Sequence, residues 1–327
     1  MLMILAVSLL TTVPAIGHTD TTLAVRRGTR LQISNFSGSV NVSTWDRDAI
    51  RIAADRSGRT RVELSEDEEA YHVGTTNPRG VPGSVDFDIT APAWMALEIE
   101  GPMTDVNIQG THGNVKVETV KGEISVDGGN GALELSSVQG DVSVARANGR
   151  VKLSSINENV TATQINGQIE AETVNGDIVL DGVQLDALHA SSVGGDLWFS
   201  GTLKPSGRYQ LESHSGDIQV VTPDSPDANV SVSTFSGEFS SDFDLMLSGT
   251  RKRERMQFTL GHGGAQIELQ SFSGDIQLLK ESQVNAIRSE LKSQGGERAP
   301  RAPRVPRTPK PPKTPKSPKS EQNDSDN

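Results

Sequence analysis

Residues 113–184 determine the fold, because they consist of eight consecutive nine-residue repeats, each called a nine below. The repeats are GNVKVETVK GEISVDGGN GALELSSVQ GDVSVARAN GRVKLSSIN ENVTATQIN GQIEAETVN GDIVLDGVQ. One inserted residue, Leu185, precedes DALHASSVG and GDLWFS, which carry the repeat to Gly201. Positions 3, 5 and 8 of each nine are apolar, and position 1 is usually Gly. Positions 3 and 5 share one face of a strand, and we expect position 8 to point inward again after a bend. A repeat of nine residues is too short to bury its own apolar side chains. Copies of the repeat must therefore stack on one another, which predicts a parallel β-solenoid.

Two kinds of nine alternate along this repeat. One kind ends in ETVK, SSVQ, SSIN, ETVN and SSVG, and the nines between them end in DGGN, ARAN, TQIN and DGVQ. Like residues therefore recur every eighteen, which predicts two unlike strands per coil and a spacing of about 4.8 Å between like positions.

The composition suits such a thin core. Apolar residues make up 34% and aromatic residues 4% of 327 residues, and there are 32 glycines. This balance is typical of short strands joined by tight turns. The chain has no cysteine, which excludes disulfides, thiolate catalysis, thiolate metal sites and a lipoprotein acylation site.

The whole sequence predicts an all-β protein with a helix and a tail at its end. An apolar run from Leu2 to Leu10, followed by Ala15-Ile16-Gly17, is typical of a secretory leader, and no later stretch is apolar enough to span a membrane. Val284, Ile287 and Leu291 fall on one helical stripe. The predicted parts are a signal peptide at 1–17, an N-terminal β region at 18–84, regular repeats at 85–280 with a protruding basic-tipped hairpin at 243–260, a capping helix at 281–294 and a disordered tail at 295–327.

The tail carries a second repeat, in which cations are spaced by three and prolines fall between them. Polyproline II has three residues per turn, so all the cations would line one edge. Without this segment and the three acids after it, 23 basic and 39 acidic residues remain, a formal charge of about −16. We expect the cations to bind anionic envelope polymers or headgroups. The alternatives are a proline-reading partner domain, a solubilising linker, and a tail that folds back loosely onto its own acidic solenoid. The cations are Arg298, Arg301, Arg304, Arg307, Lys310, Lys313, Lys316 and Lys319.

Residues 85–278 resemble the bacterial DUF4097 family, an adhesin-like group also called toastrack. The resemblance is carried by the entry VDFDITAPAWMALEIEG and by repeated phrases such as LSSVQGDVSV and AETVNGDIVL. It implies a single-stranded, right-handed β-solenoid in an exported or envelope protein that serves as a binding or scaffold module. The family supplies no catalytic residues.

A row of acids at position 2 is the most prominent polar pattern. Stacked carboxylates could bind calcium, but the double glycine and the acid position of calcium-binding nonapeptide repeats are missing. We therefore expect each acid to hydrogen-bond the backbone of its own turn and to keep the solenoid soluble. The acids are Glu123, Asp141, Asp177, Asp196, Asp217, Glu238 and Asp275.

Catalytic and ligand-binding candidates are few. Asp177 and Asp196 are the best pair for polysaccharide cleavage, but no base or nucleophile accompanies them in register. Trp45 and Phe235 occupy position 8, which predicts core filling. Trp198 takes an outward position, so it is the aromatic residue expected to contact a ligand.

These observations favour a non-enzymatic exported solenoid without a cofactor or metal. We expect the protein in the periplasm or at the cell surface. The expected partner is an envelope protein or an anionic envelope polymer, and export makes nucleic acid an unfavoured partner. One alternative is a carbohydrate-binding or carbohydrate-active β-helix. Another, suggested by the family resemblance alone, is a partner in envelope-stress sensing.

Overall fold

The computed structural model describes residues 18–247 and 255–286. The described residues form 25 strands and a short helix at 281–286. The strands belong to one compact unit, and the chain from Asn285 onward is a separate unit. The predicted helix thus begins at 281, whereas its predicted residues 287–294, the leader and the tail lie outside the described residues.

The central coils each contain two strands. Strands of the first face pair in parallel with a register of eighteen, as Val115, Leu133 and Val151 show, and those of the second face do the same. The predicted all-β solenoid with eighteen-residue coils is confirmed. The first face consists of β8 (Ala96–Gly101), β10 (Val115–Lys121), β12 (Leu133–Gln139), β14 (Asn148–Ser155), β16 (Asn166–Thr173) and the C-terminal halves of β17 (Ile178–Ser192) and β18 (Leu197–Ser213). The second face consists of β9 (Met103–Gln109), β11 (Ile124–Asp127), β13 (Val142–Ala145), β15 (Val160–Thr163), the N-terminal halves of β17 and β18, and β19 (Ile218–Thr222).

The extra residue of the repeat is absorbed where β16 meets β17. Gly167 lies opposite Leu185 and Gln168 lies opposite Ala187, so Asp186 bulges out of the register. The inward positions shift by one residue across the bulge, from Leu185 to Leu188, so Leu188 still stacks on Ile169 of the previous coil.

The core follows the prediction at positions 3 and 5 but not at position 8. Val115, Val117, Ile124 and Val126 are all buried. On the first face the strand keeps alternating through position 7, so position 7 points inward and position 8 points outward. The prediction that position 8 is buried is therefore wrong in this class of nine. It holds in the other class, where the chain turns early and buries Ala147, Ile165 and Val183.

Position 7 is a buried Ser or Thr that binds two coils together. Ser192 Oγ accepts a hydrogen bond from the Gly195 N–H at 2.9 Å and donates one to the Gly176 carbonyl at 3.1 Å. Ser213 forms the same pair of bonds one coil later, with Gly216 and Gly195. A buried hydroxyl therefore satisfies both a backbone donor and a backbone acceptor at these corners, and the Thr119 and Ser137 hydroxyls donate to a carbonyl of the previous coil in the same way.

The corner glycine is required by the neighbouring coil. A Cβ atom on Gly195 would collide with the carbonyl oxygen of Gly176, and one on Gly216 would collide with that of Gly195. These glycines do not have positive φ. The constraint is therefore a close approach of two backbones, not a left-handed turn.

The first coils are not stacked in chain order. The two strands of residues 30–45 lie between the coil of residues 70–92 and the coil of β8 and β9. The strands of this region are β1 (Thr19–Ala24), β2 (Arg30–Ser34), β3 (Ser37–Trp45), β4 (Ala49–Arg56), β5 (Arg61–Glu66), β6 (Ala70–Thr76) and β7 (Val85–Pro92). Antiparallel strands cover this end, because β5 pairs with β6, β4 pairs with β7, and β1 pairs with β4.

The last coils are reordered in the same way. The final coil in sequence lies between the coil of β18 and β19 and the coil formed by residues 228–241. The strands of this region are β20 (Ala228–Thr234), β21 (Phe239–Ser241), β22 (Met246–Leu247), β23 (Met256–Leu260), β24 (Ala265–Ser271) and β25 (Ile276–Lys280).

The segment predicted to form a hairpin contains the expected antiparallel pair, and this pair covers the end of the solenoid. Strand β22 pairs antiparallel with β23, and β23 pairs antiparallel with β20. Phe258 and Leu260 are buried in the core. The predicted basic tip is described only at Arg255, which contacts Ser231 and Glu268. The exposed edge of β20 is therefore hidden by an antiparallel strand.

We predict that Gly195→Ala destabilises the protein by about 1–3 kcal/mol, because the added methyl must push two coils apart. Gly74→Ala is the matched control, since a Cβ at Gly74 meets no atom within 4 Å. Urea unfolding measures both variants. Equal stability of the two would show that the corner tolerates a side chain and that the backbones are not held in contact.

Candidate interaction surface

Exposed apolar side chains form a straight row along the corner where the first face ends. Backbone bonds link the row from coil to coil: the Asn175 N–H donates to the Ile156 carbonyl at 2.9 Å, and the Gly194 N–H donates to the Val174 carbonyl at 2.7 Å. We call these position-8 residues the apolar row. In spatial order they are Val120, Val138, Ile156, Val174, Val193, His214, Phe272 and Phe235.

The row ends in a stack of three rings. The His214 and Phe272 ring centroids are 4.8 Å apart with planes inclined by 7°, and those of Phe272 and Phe235 are 4.9 Å apart with planes inclined by 6°. Phe235 is 68% exposed and Phe272 is 49% exposed. The coil spacing imposes the stack, because equivalent side chains repeat at the strand separation. The prediction that Phe235 fills the core is wrong.

A shallow groove runs beside the stacked rings on the first face. Its lining combines Ser191, Glu212 and Gln270 with the edges of the His214 and Phe272 rings. Hydroxyl, carboxylate and amide groups thus lie next to apolar surface, a combination that recognises a ligand both by contact and by hydrogen bonding.

The acids at position 2 form a second row on the other side of the corner glycine. Each described bond of this acid row runs to the next coil: the Asp196 N–H donates to Asp177 Oδ1 at 2.9 Å, and the Asp217 N–H donates to Asp196 Oδ1 at 2.8 Å. The expectation that each acid bonds its own turn is therefore wrong. The further bonds of the same kind join Asp105 to Glu123, Asp141 to Asn159, Asn159 to Asp177, Asp217 to Asp275, and Asp275 to Glu238.

Charge repulsion is concentrated at the middle of the acid row. Burial raises the pKa of the Asp196 carboxyl above its ordinary value. The hydrogen bond from the Asp217 N–H opposes this rise, and the negative charges of Asp177 and Asp217 add to it. The ionised form of Asp196 is therefore disfavoured in the folded protein.

The best catalytic pair from sequence, Asp177 and Asp196, thus has a structural role in the ladder between coils. Among residues 18–247 and 255–286, no group of three or more His, Asp or Glu side chains is arranged to hold a metal ion. Two histidines outside the rows each pair with a single carboxylate: His72 in β6 with Asp67 at 2.8 Å, and His262 in the turn after β23 with Asp227 at 3.3 Å.

The outward aromatic residue predicted from sequence lies elsewhere. Trp198 is half-buried on the second face, between Val179 and Gln219, so it is not part of the apolar row. Its role in ligand contact stays a prediction. Trp45, predicted to fill the core, is half-buried; its indole N–H donates to the Ala49 carbonyl at 2.7 Å, and the Arg47 guanidinium lies over its ring.

The sequence contained a signal for the apolar row that the repeat analysis missed. One class of nine places polar Ser or Thr at position 7, between the apolar positions 5 and 8. If the strand alternates without interruption from position 3 to position 8, the Ser or Thr at position 7 points into the core and the residue at position 8 points to solvent. His214 at position 8 supports the outward reading, because a histidine is a poor substitute for a core valine. The eight predicted tail cations, Arg298 to Lys319, lie outside the described residues.

The fold and its corners define a class of protein: a two-faced parallel β-solenoid whose coils are joined through Ser/Thr–Gly corners. A family model described as Toastrack DUF4097 matches residues 29–279. The chain therefore belongs to this family, as its resemblance predicted.

Comparison with solved structures finds a likeness to a candidate cell adhesion protein from Clostridium sporogenes. The identity is 10%, the match covers 81% of this chain and 100% of the other, and the TM-score is 0.26. No curated protein matches the chain. In the described part of the chain, no helix has the length and apolar character needed to cross a membrane.

We predict that Asp196→Asn raises the Tm at pH 7 by on the order of a few °C, because it removes an unfavourable charge. The amide oxygen still accepts the Asp217 N–H, as Asn159 accepts the Asp177 N–H at 2.9 Å. A raised pKa favours folding only while the carboxyl is protonated, so the advantage of the variant shrinks as the pH falls toward about 3. Thermal unfolding at both pH values measures this, and a pH-independent gain would exclude the charge explanation.

Proposed function

We propose that this protein is an exported, non-enzymatic interaction module of the bacterial cell envelope and that the apolar row is its contact surface. The observation that carries the proposal is the alignment of position-8 residues along eight stacked coils, six of which present exposed apolar side chains: Val120, Ile156, Val174, Val193, Phe272 and Phe235. Export is supported by the leader-like sequence of residues 1–17. The envelope setting is what the resemblance to the toastrack family implies.

The row differs from ordinary surface apolar residues by its alignment. Scattered exposed apolar side chains need no explanation, but contiguous apolar surface on a soluble protein marks a contact site. Seven steps of about 4.8 Å extend the row over roughly 34 Å. Because each coil presents an equivalent contact, a partner that is itself extended and repetitive gains many weak contacts at once.

Carbohydrate binding is the second candidate, and the aromatic stack favours it. Phe235 ends the stack with an exposed ring, and Glu212 and Gln270 line the groove beside the rings. An apolar ring face next to hydrogen-bonding groups suits a sugar ring, which has both apolar and hydroxyl-bearing surfaces.

The cationic tail segment is proposed as a separate attachment element. Eight cations at a spacing of three residues, Arg298 to Lys319, would attract phosphate-bearing polymers or headgroups through charge.

We predict that Phe272→Ser/Phe235→Ser lowers binding to an isolated envelope fraction by roughly tenfold, because both rings are exposed and their removal costs contact area. Leu64→Ser/Val81→Ser is the matched control, since Val81 is 64% exposed and neither residue belongs to the row. Cosedimentation measures binding, and unfolding curves verify that both variants remain folded. An equal loss in the two variants would contradict a role for the row.

Deletion of residues 298–319 is predicted to weaken cosedimentation with anionic lipid vesicles in low salt. The difference from the full chain should vanish at about 0.5 M salt, because exposed charges are screened within a few ångströms there. Neutral phosphatidylcholine vesicles provide the control. Equal recovery of both chains on anionic vesicles would refute attachment through these cations.

A further inference from the structure

We infer that the corner of the solenoid binds an extended, proline-rich cationic peptide in the polyproline II conformation. Prolines of the peptide lie on the apolar row, and its cations face the acid row. This inference rests on the proposed function, because it names the partner of the same surface.

The two rows run side by side along the axis. The last four coils carry position-8 residues and position-2 acids that are separated by only two small residues. At position 9 these coils have neutral, small side chains, so nothing bulky separates the rows. The four pairs of an apolar-row residue and its acid are Val193 with Asp196, His214 with Asp217, Phe272 with Asp275, and Phe235 with Glu238.

These acids have charge to offer a partner. No ion pair between described residues includes Asp196, Asp217, Glu238 or Asp275. The described bonds occupy one oxygen each of Asp196, Asp217 and Asp275, through the N–H of the next coil. Burial is the main cause of the raised pKa of Asp196, and the charges of Asp177 and Asp217 add to it; a cation beside the row would offset that added repulsion.

The spacing of the rows selects the conformation of the peptide. Two coils span about 9.6 Å. One turn of polyproline II, three residues of 3.1 Å each, spans about 9.3 Å. A cation at every third residue therefore meets every second acid with little cumulative mismatch. A β-strand advances only about 6.6 Å between side chains on one side, which does not match the coils.

The apolar row suits the prolines of such a peptide. Proline-rich segments dock on aromatic surfaces, because a preformed polyproline II helix loses little entropy on binding. In a repeat of the form x-Pro-cation, prolines and cations occupy adjacent edges of the helix. The Phe272 and Phe235 rings and the acids beside them offer the complementary edges.

The probe is a synthetic peptide with the sequence of residues 298–319, in which a cation recurs every third residue. The control is a scrambled peptide of the same composition and charge but without this period. Calorimetric titration in about 50 mM salt uses the full chain and is repeated with the chain that lacks 298–319, which removes the chain's own copy of the probe sequence. We expect the periodic peptide to bind at least fivefold more tightly than the scrambled one.

Two variants test the rows separately. Asp217→Asn/Asp275→Asn/Glu238→Gln removes three charges and keeps the acceptors between coils, and it should weaken binding roughly tenfold. Asp46→Asn/Glu66→Gln/Glu68→Gln, the control, removes three charges from exposed positions outside the acid row and should change binding less than about twofold. Phe272→Ser/Phe235→Ser should also weaken binding roughly tenfold.

Each outcome decides the matter. Equal affinity for the periodic and scrambled peptides, or equal losses in the two charge variants, would overturn the inference and leave only general charge attraction. If the peptide does not bind but Phe272→Ser/Phe235→Ser still loses envelope binding, the proposed function stands and the inference fails. Binding of a soluble β-glucan oligosaccharide in place of the peptide would assign the row to carbohydrate.

Discussion

The structure depends on the contact between the corner backbones of successive coils. At this corner a glycine carbonyl accepts a hydrogen bond from a buried Ser or Thr of the next coil, as Gly176 does from Ser192. It also occupies the space in which the next coil's glycine would carry a side chain. The hydroxyl, the carbonyl and the glycine therefore form one structural unit. The repeat keeps Gly at a position without positive φ because the carbonyl of the previous coil leaves no room for a side chain.

The same unit creates the surface. Because the hydroxyl at position 7 must point inward to reach the carbonyl, strand alternation turns position 8 outward. The apolar row is thus a geometric consequence of how coils are joined. On the other side of the glycine, each aspartate of the acid row accepts the next coil's N–H, as Asp177 does from Asp196, so carboxylates also line up at the coil spacing. One corner therefore presents apolar contact and negative charge in parallel, while the core behind it is mostly aliphatic.

Sequence reasoning predicted most of the regular fold and missed most of the site. Positions 3 and 5 follow directly from period-two alternation, and the period of eighteen follows from the two kinds of nine. The prediction for Phe235 is wrong because an apolar residue at a repeated position suggests the core. The preceding Thr234 hydroxyl points inward to bond the backbone, and two successive residues of a strand cannot both point inward. The acids were expected to bond their own turns, because a local bond can be inferred from sequence and a bond across coils requires knowing how the coils are spaced.

The sequence by itself determined the strand pattern, the coil length and the core residues at positions 3 and 5, because these depend on alternation within a few neighbouring residues. Only the tertiary structure decided the order of the end coils. β2 lies between β6 and β8, and β24 lies between β18 and β20. Coils built from the same repeat present nearly the same strand edges for pairing. The local sequence pattern therefore does not specify which coil stacks on which. Long-range pairing and the antiparallel strands that cover the two ends make that choice.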